Sequence, residues 1–553
     1  MELSKLGKVI DTDILVLGGG TNGCGAALGA RDSGARVLVI DKGSLESCGQ
    51  PGSGQGGYNT YLSTGPEWDT AEGIAEYYCG GAEAMCATLS TELFMKGVAP
   101  WMIPLKDRLE SAGVEFVKDP DDPSGYLRHS TCGMKGKWTI WFENGRYIKR
   151  LLAKEVRRSG ADILGQIMLT KILVQSRRAV GAVGFNYWTG EFHIFRAKCV
   201  VLSLAVNALR MAAAWTGNPF IALNYPYNTG SGQVMAYDAG ARQIALEKAS
   251  ASPLPLGLGA PGLNTFTGHR AHFIDAQKER FLLEYDPRGE DMPRHRIVMA
   301  MREQQIRGNV PLYLDCRHFS DRTVQEVRDS LSDDGHGPAF DAYFEQRGID
   351  MQKEPIEYEV EGWKGGGSLL VNDHFESSLR GLFGYNPGTF SLALCAGYSS
   401  AVAAVEDARK LKEFPEVGTD LIEEEKERVY APLNRDAGYH WRQYEDVVRQ
   451  VMRYYVGTVR SKQSMERALE KLKVLEGYAG EIKAKNYHEL LRTHEAIHLV
   501  RYCQLATRAA LERKESGRDV YRRIDYPEQL PEWNGKQVVI WQEKGEQKVS
   551  VVG

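Results

Sequence analysis

Six residues near the amino terminus, Gly18-Gly19-Gly20-Thr21-Asn22-Gly23, have the types and spacing to hold a phosphate. They follow the apolar run Asp13-Ile14-Leu15-Val16-Leu17 and open a run of small residues, Cys24 to Ala30, that reads as a helix. A second apolar run, Ala35 to Ile40, ends at Asp41. In that strand–turn–helix–strand setting, G-x-G-x-x-G binds a dinucleotide. Gly18 makes the turn, Gly20 lets the backbone approach a pyrophosphate, and Gly23 lets helix and strand pack closely. Thr21 and Asn22 stand at the helix N-terminus, whose free N–H groups and positive dipole end favour phosphate oxygens. Asp41, about 20 residues past the turn, is placed to accept ribose hydroxyls. The plain alternative is a glycine-rich turn in a doubly wound sheet; the flanking strands and the acid favour the dinucleotide.

The residues after Asp41 separate FAD from NAD. Lys42 leads into Cys48-Gly49-Gln50-Pro51-Gly52-Ser53-Gly54-Gln55-Gly56-Gly57-Tyr58-Asn59, a long small-residue loop that suits a flat ring lying against backbone. Lys198 to Ser203 is a further buried strand, and Asn228 to Gly232 is a turn opening a helix at Ser231. Late in the chain, Leu379 to Tyr385 leads through Ser391 and Leu392 into a helix read as Ser400–Lys412. A nucleotide domain reassembled from distant segments is a flavoprotein habit. The cofactor-binding set is therefore Gly18, Gly20, Thr21, Asn22, Gly23, Asp41 and Lys42, then Cys48, Gly49, Gly54, Gln55, Gly56, Gly57 and Asn59. Ser203, Ser231, Tyr385, Ser391 and Leu392 complete it.

In this order the segments resemble the flavoprotein subunits of the fumarate reductase and succinate dehydrogenase family, and within it the alpha chain of adenylylsulfate reductase. The resemblance rests on Val9 to Ala27, Gly56 to Tyr61, Trp138 to Lys149, Ala182 to Phe185, and Arg513-Lys514-Glu515-Ser516-Gly517 through Arg523 to Glu528. It implies an α/β chain with a Rossmann-like FAD-binding domain over residues 1–241 and an α+β capping domain over 242–365. The FAD-binding domain returns over 366–412, a helical domain follows over 413–525, and a C-terminal tail, read as a hairpin, fills 526–553. It also implies a ferredoxin-like partner subunit carrying [4Fe–4S] clusters, hence a hetero-oligomer. Some members attach FAD through a histidine in the loop after the ribose acid; residues 43–61 hold none, so the flavin is expected to be non-covalent.

The departures fall at the chemistry. Where the family carries a substrate histidine before a glycine pair, this chain reads Glu361-Gly362-Trp363-Lys364-Gly365-Gly366, with Trp363 in the histidine's place. An acidic position after the tryptophan-containing strand is Arg146, and Gly384-Tyr385-Asn386-Pro387 has lost the acid near the ribityl chain. One element matches: Pro293-Arg294-His295-Arg296-Ile297-Val298 is similar to the segment holding the arginine that delivers a proton to fumarate. The catalytic or substrate-anchoring candidates are Arg294, Trp363, Lys364 and Arg146. Their plain readings are a helix-start arginine paired with a surface acid, a core tryptophan and solvated cations. His269 and His272, and His494 and His498, lack further ligands at useful spacing, so no metal site is expected.

The whole chain sets the bounds. Its 553 residues carry a formal charge of −4, which gives no electrostatic reason to expect nucleic acid. The 43% of hydrophobic residues suffices for a large core, and no run reaches a membrane span of roughly 18 apolar residues. Nine scattered cysteines without a C-x-x-C pair suit reduced thiols in a cytoplasm and supply no iron–sulfur cluster. The expected function is an FAD-dependent oxidoreductase subunit that exchanges electrons between a small anionic substrate and a separate iron–sulfur subunit. The alternative is a non-catalytic or electron-relay paralogue serving a larger redox complex. Adenylylsulfate or fumarate reduction itself ranks lower, because the histidine is missing.

Overall fold

The apolar run that precedes the glycine turn forms the strand Lys8–Leu17 (β1), the centre of a seven-stranded sheet. The computed structural model describes residues 2–80, 89–130, 134–205, 208–211, 225–260, 262–333, 335–517 and 522–553, without the side chains of 361–364. After β1 come the helix Thr21–Asp32 (α1) and the strand Val37–Ile40 (β2), parallel to β1 with Leu17 opposite Ile40. Further on lie the helix Ile148–Arg158 (α2) and the strand Phe192–Leu202 (β3). β3 runs parallel to β1 with Leu17 opposite Leu202, so β1 ends level with both neighbours. The first half of β3 pairs with the antiparallel strand Arg178–Asn186, and its second half accepts the late strand Leu382–Phe383. That late pairing returns the chain to the nucleotide domain after a long excursion. The chain is α/β.

Side chains alternate across this sheet as strand geometry requires. Ile14, Val16, Val37, Val39, Cys199 and Val201 pack toward α1 and the helix Phe390–Ala408 (α3). Leu15, Leu17, Leu38, Ile40 and Val200 pack on the other face, with Met235 and Ala236 of the helix Ser231–Asp238. α3 begins at Phe390 rather than at Ser400, a correction to the sequence reading. Its residues from Phe390 to Ala401 are all buried, so no polar stripe marks a helical period there. α1 and α3 meet through glycine. A Cβ on Gly25 would stand 2.0 Å from the Leu394 carbonyl oxygen, one on Gly29 2.4 Å from that of Tyr398, and one on Gly397 2.0 Å from that of Asn22.

Beside the large sheet stands a small one, in which Thr139–Trp141 lies between Gly57–Asn59 and Arg128–His129. Its register puts Tyr58, Ile140 and Arg128 in one row, and Asn59, Thr139 and His129 in the next. The first row faces the core. There Arg128 makes a bidentate pair with Asp69, 2.9 and 2.7 Å, and both residues are buried. Burial pushes the Asp69 carboxyl up, but Arg128 and the amides of Thr64 and Leu62 outweigh it and bring it to about 2. A carboxyl depressed in the folded state stabilises above its unfolded value near 4 and loses that contribution as pH falls. We expect Asp69→Asn to flatten the acid limb between pH 4 and 2 in thermal-melt measurements, and to leave the limb above pH 6 parallel to the parent's.

The excursion between the nucleotide segments is a four-stranded antiparallel sheet in the order Ala249–Pro255, Ile356–Gly365, Leu312–Asp315, His272–Ile274. The helices Leu263–Gly268, Arg294–Arg307, Asp321–Asp333 and Gly337–Arg347 complete its core around Phe266, Phe273, Leu314 and Tyr358. Beyond α3, the helices Trp441–Val451, Lys462–Tyr478 and Tyr487–Glu512 (α4) share a core of Val448, Leu472 and Leu499. The last strands, Gln537–Glu543 and Glu546–Val552, form a hairpin that is not free-standing. Gln243–Ile244 pairs with its first strand and with Ser368–Leu369, joining the C-terminal residues to both ends of the capping excursion. No described helix is long and apolar enough to cross a membrane.

Candidate functional site

The carboxyl ends of β1, β2 and β3 open into a cleft of about 940 Å³. This is where an open α/β sheet binds ligands, at a crevice beyond its strand ends. Gly18 holds a φ of +107°, a left-handed conformation that glycine adopts freely, and a Cβ there would lie 2.7 Å from the Ser203 carbonyl oxygen. A Cβ on Gly23 would come within 1.8 Å of the Gly18 carbonyl oxygen, so turn and helix are in direct contact. Gly20 differs. Its nearest neighbour would be the Gly49 Cα at 3.8 Å, because the space beside it is the cleft.

Asp41 is held rigidly at the cleft wall. Its Oδ2 accepts the Gly19 N–H at 2.7 Å and its Oδ1 the Gly43 N–H at 2.7 Å, which leaves lone pairs on both oxygens for hydroxyl donors. Asn22 braces the three segments: its Nδ2 donates to the carbonyls of Tyr385 and Ala393, each at 2.9 Å, and its Oδ1 accepts from Ser203 Oγ at 2.7 Å. Thr21, Lys42, Gly49, Gln55 and Ser231 also border the cleft.

Three of the expected cofactor residues have their side chains in the core rather than in the cleft. Tyr385 meets Asn22 through its backbone, and its ring is buried against Phe375. Leu392 points into the core, since on a helix that starts at Phe390 its position falls on the buried face. The Cys48 thiol is buried, 3.2 Å from where a Gly19 Cβ would be, below the turn rather than facing the cleft. Ser391 is fully buried, and its Oγ has no hydrogen-bond partner although Phe390 and Ala393 beside it line the cleft. Gly54, Gly56, Gly57 and Asn59 run from the cleft edge at Gln55 into the small sheet, where Asn59 bonds Tyr78 Oη. An open glycine, an anchored acid, a helix N-terminus and an orphaned hydroxyl together suit a dinucleotide.

The charge around Lys42 was not visible in the sequence. Its ammonium lies 2.5 Å from Glu495 Oε1 on α4. Glu495, with no exposed surface, also accepts from Arg210 at 2.8 Å and Arg492 at 2.7 Å, and Arg210 reaches buried Glu445 at 2.7 Å. Burial drives the Glu495 carboxyl up, yet Lys42, Arg210 and Arg492 hold it far below the ordinary carboxylate range. The network ties the helical region to the cleft wall.

Of the catalytic candidates, Arg294 lies inside the capping excursion at the start of its helix. Its Nη2 donates to Asn264 Oδ1 at 2.6 Å, while its Nε is buried without a partner. Its neighbour Arg296 pairs with buried Asp286 at 2.9 Å, and Arg294 itself has an amide rather than a surface acid as its hydrogen-bond partner. Arg146 is exposed beside Gly145, where a Cβ would meet the carbonyl oxygens of Gln55 at 2.2 Å and Asp333 at 2.7 Å. It therefore marks the line along which the cap meets the flavin loop. Trp363 and Lys364 fall in the strand Ile356–Gly365, and their side chains lie outside the described residues. Sequence reading passed over His129, in the row with Asn59 and in ring contact with Trp141 at 5.4 Å.

A family model described as FAD binding domain matches residues 13–381, and one described as fumarate reductase flavoprotein C-term matches residues 445–552. One chain of the CoM/CoB fumarate reductase from Methanothermobacter marburgensis is 25% identical, over 95% of this chain and 96% of its own. An L-aspartate oxidase from Pseudomonas aeruginosa is 26% identical, over 94% of this chain and 96% of its own. Among solved structures, adenylylsulfate reductase from Archaeoglobus fulgidus superposes with a TM-score of 0.86 at 22% identity, over 99% of this chain and 96% of that one, a likeness of fold.

Proposed function

This chain belongs to the FAD-binding flavoprotein family that includes the fumarate reductase flavoproteins, and on that premise we propose that it exchanges electrons between a small anionic substrate and a separate iron–sulfur subunit. It is an FAD-dependent oxidoreductase. FAD, when bound, supplies the electron transfer; the protein contributes binding, orientation and electrostatics. Gly20 and the α1 N-terminus would hold the pyrophosphate, Asp41 the ribose, and the Gln55–Gly57 backbone the ring. Residues 43–61, the loop after the ribose acid, hold no histidine, which supports non-covalent binding.

The observation that carries the substrate reading is Arg294. Its guanidinium is inside the cap, bonded to a neutral amide, with a buried Nε that nothing accepts. Guanidinium stays protonated at any working pH and can clamp a carboxylate, sulfonate or phosphate bidentately. Trp363 at the histidine position favours a flat or apolar body over a compact dicarboxylate. The partner reading is supported by the nine dispersed cysteines, which offer no closely spaced set of ligands for an iron–sulfur cluster. Electrons leaving the flavin then need a carrier on another chain.

Arg294→Lys keeps the charge and loses the fork. With a reduced viologen as donor and a panel of organic anions that includes fumarate and aspartate, turnover should fall on the order of a hundredfold, the scale of one lost transition-state donor. FAD content should stay at the parent's value. Turnover at the parent rate, or efficient reduction of fumarate, would sink this reading of the pocket.

A further inference from the structure

Lys149, near the start of α2, is almost completely buried beneath the glycine turn. Its Nζ donates to the Gly19 carbonyl at 2.7 Å and to Cys24 Sγ at 3.3 Å. Both acceptors are neutral: burial pushes the Cys24 thiol up, so it keeps its proton at neutral pH. The facing titratable groups are Cys24, Cys48 and Asp41, with Glu46 further out. No carboxylate among the described residues comes within the 4.0 Å of an ion pair with Lys149. The nearest negative charge is the Asp41 carboxylate, which favours the Lys149 ammonium from a distance while its oxygens bond the Gly19 and Gly43 amides.

A buried ammonium held only by neutral acceptors is costly in isolation, and such charges are normally paired. The open side of the turn is where a bound anion would add to the compensation from Asp41. The Gly19 carbonyl that accepts from Lys149 belongs to the same peptide as the Gly20 N–H, and Gly20 borders the cleft. A cation on the carbonyl polarises that peptide and strengthens its N–H as a donor, as chains of hydrogen bonds do in a low-dielectric interior. α1 adds its own dipole at the same point.

We propose that Lys149 is a second layer of the pyrophosphate site, a fixed positive charge behind the turn that acts through the Gly19–Gly20 peptide on the two phosphates of FAD. The inference rests on FAD as the cofactor. It makes Lys149 a positioning residue, since its ammonium touches the turn and not the ligand. It also implies opposite effects on two properties. Removing the charge relieves the protein without cofactor and weakens the protein's hold on it.

The test uses full-length protein stripped of flavin, with Lys149→Met and Lys149→Gln, titrated with FAD and with ADP. Both variants should bind both ligands roughly 10- to 100-fold more weakly, the scale of one charge-assisted hydrogen bond. The flavin-free variants should melt at or above the parent's temperature. FAD affinity within twofold of the parent in either folded variant would overturn the proposal. So would an affinity loss that only tracks a lowered melting temperature, or failure of both variants to fold, either of which makes Lys149 a scaffold residue. A parent chain that binds neither FAD nor ADP would refute the cofactor assignment instead.

Discussion

Gly20→Val protein should fold normally and purify without flavin. Gly20 has a φ of −64° and a ψ of −170°, extended backbone open to any residue, and a Cβ there meets nothing closer than 3.8 Å. The valine therefore costs the flavin-free fold little. Its branches would stand in the cleft where the phosphates must approach, so FAD affinity should fall by on the order of a thousandfold, about 4 kcal/mol. Gly23→Val makes the contrast: its Cβ alone would overlap the Gly18 carbonyl at 1.8 Å, and that protein should fail to fold. Flavin absorbance per chain, read beside circular dichroism, separates the two. A yellow Gly20→Val protein would mean that the pyrophosphate lies elsewhere.

Glu495→Gln should fold with a large loss of stability. The parent carboxylate, itself without exposed surface, is shared by Lys42, Arg210 and Arg492, and an amide removes that shared charge while Arg210 keeps its pair with Glu445. Breaking a buried network from one side costs about 3–5 kcal/mol, while removing both partners can be nearly neutral. Thermal unfolding should show a large drop for Glu495→Gln and a partial recovery in Glu495→Gln/Arg210→Met. Because the carboxyl is depressed in the folded state, its contribution is complete above the unfolded value near 4.3 and fades as pH falls. The deficit of the variant should therefore shrink toward acid pH. A deficit below 1 kcal/mol at neutral pH would show that the network is solvated or alternatively paired.

What the sequence made legible was whatever depends on backbone and spacing. Gly18, Gly20, Gly23 and Asp41 act through turn geometry, close approach and strand register, all of which G-x-G-x-x-G and a following acid encode within one short stretch. Side-chain direction was harder. Tyr385 and Leu392 sit at the right place in the chain and point into the core, because a helix buried on every side gives no periodic signal for where it starts. Asn22 was expected at the ligand and also braces Ser203, Tyr385 and Ala393, which only the assembled fold brings together. Lys149, Glu495 and His129 could not be found from spacing at all. Lys149 and Gly19 are 130 positions apart, and Lys42 and Glu495 are 453 apart.

The glycine contacts between α1 and α3 bear on how the cofactor comes and goes. Backbone lies against backbone at Gly25, Gly29 and Gly397, close enough that one methyl group would part the helices. With backbone against backbone at three points, and Asn22 bonded to Ala393 and Tyr398 to Asp32 across it, the seam resists small displacements. Exchange of bound flavin is therefore expected to depend less on movement between α1 and α3 than on movement of the cap. The line at Gly145, where the carbonyls of the cap's Asp333 and of Gln55 both come close, is the expected hinge of that movement, and the residence time of the cofactor would then follow the cap.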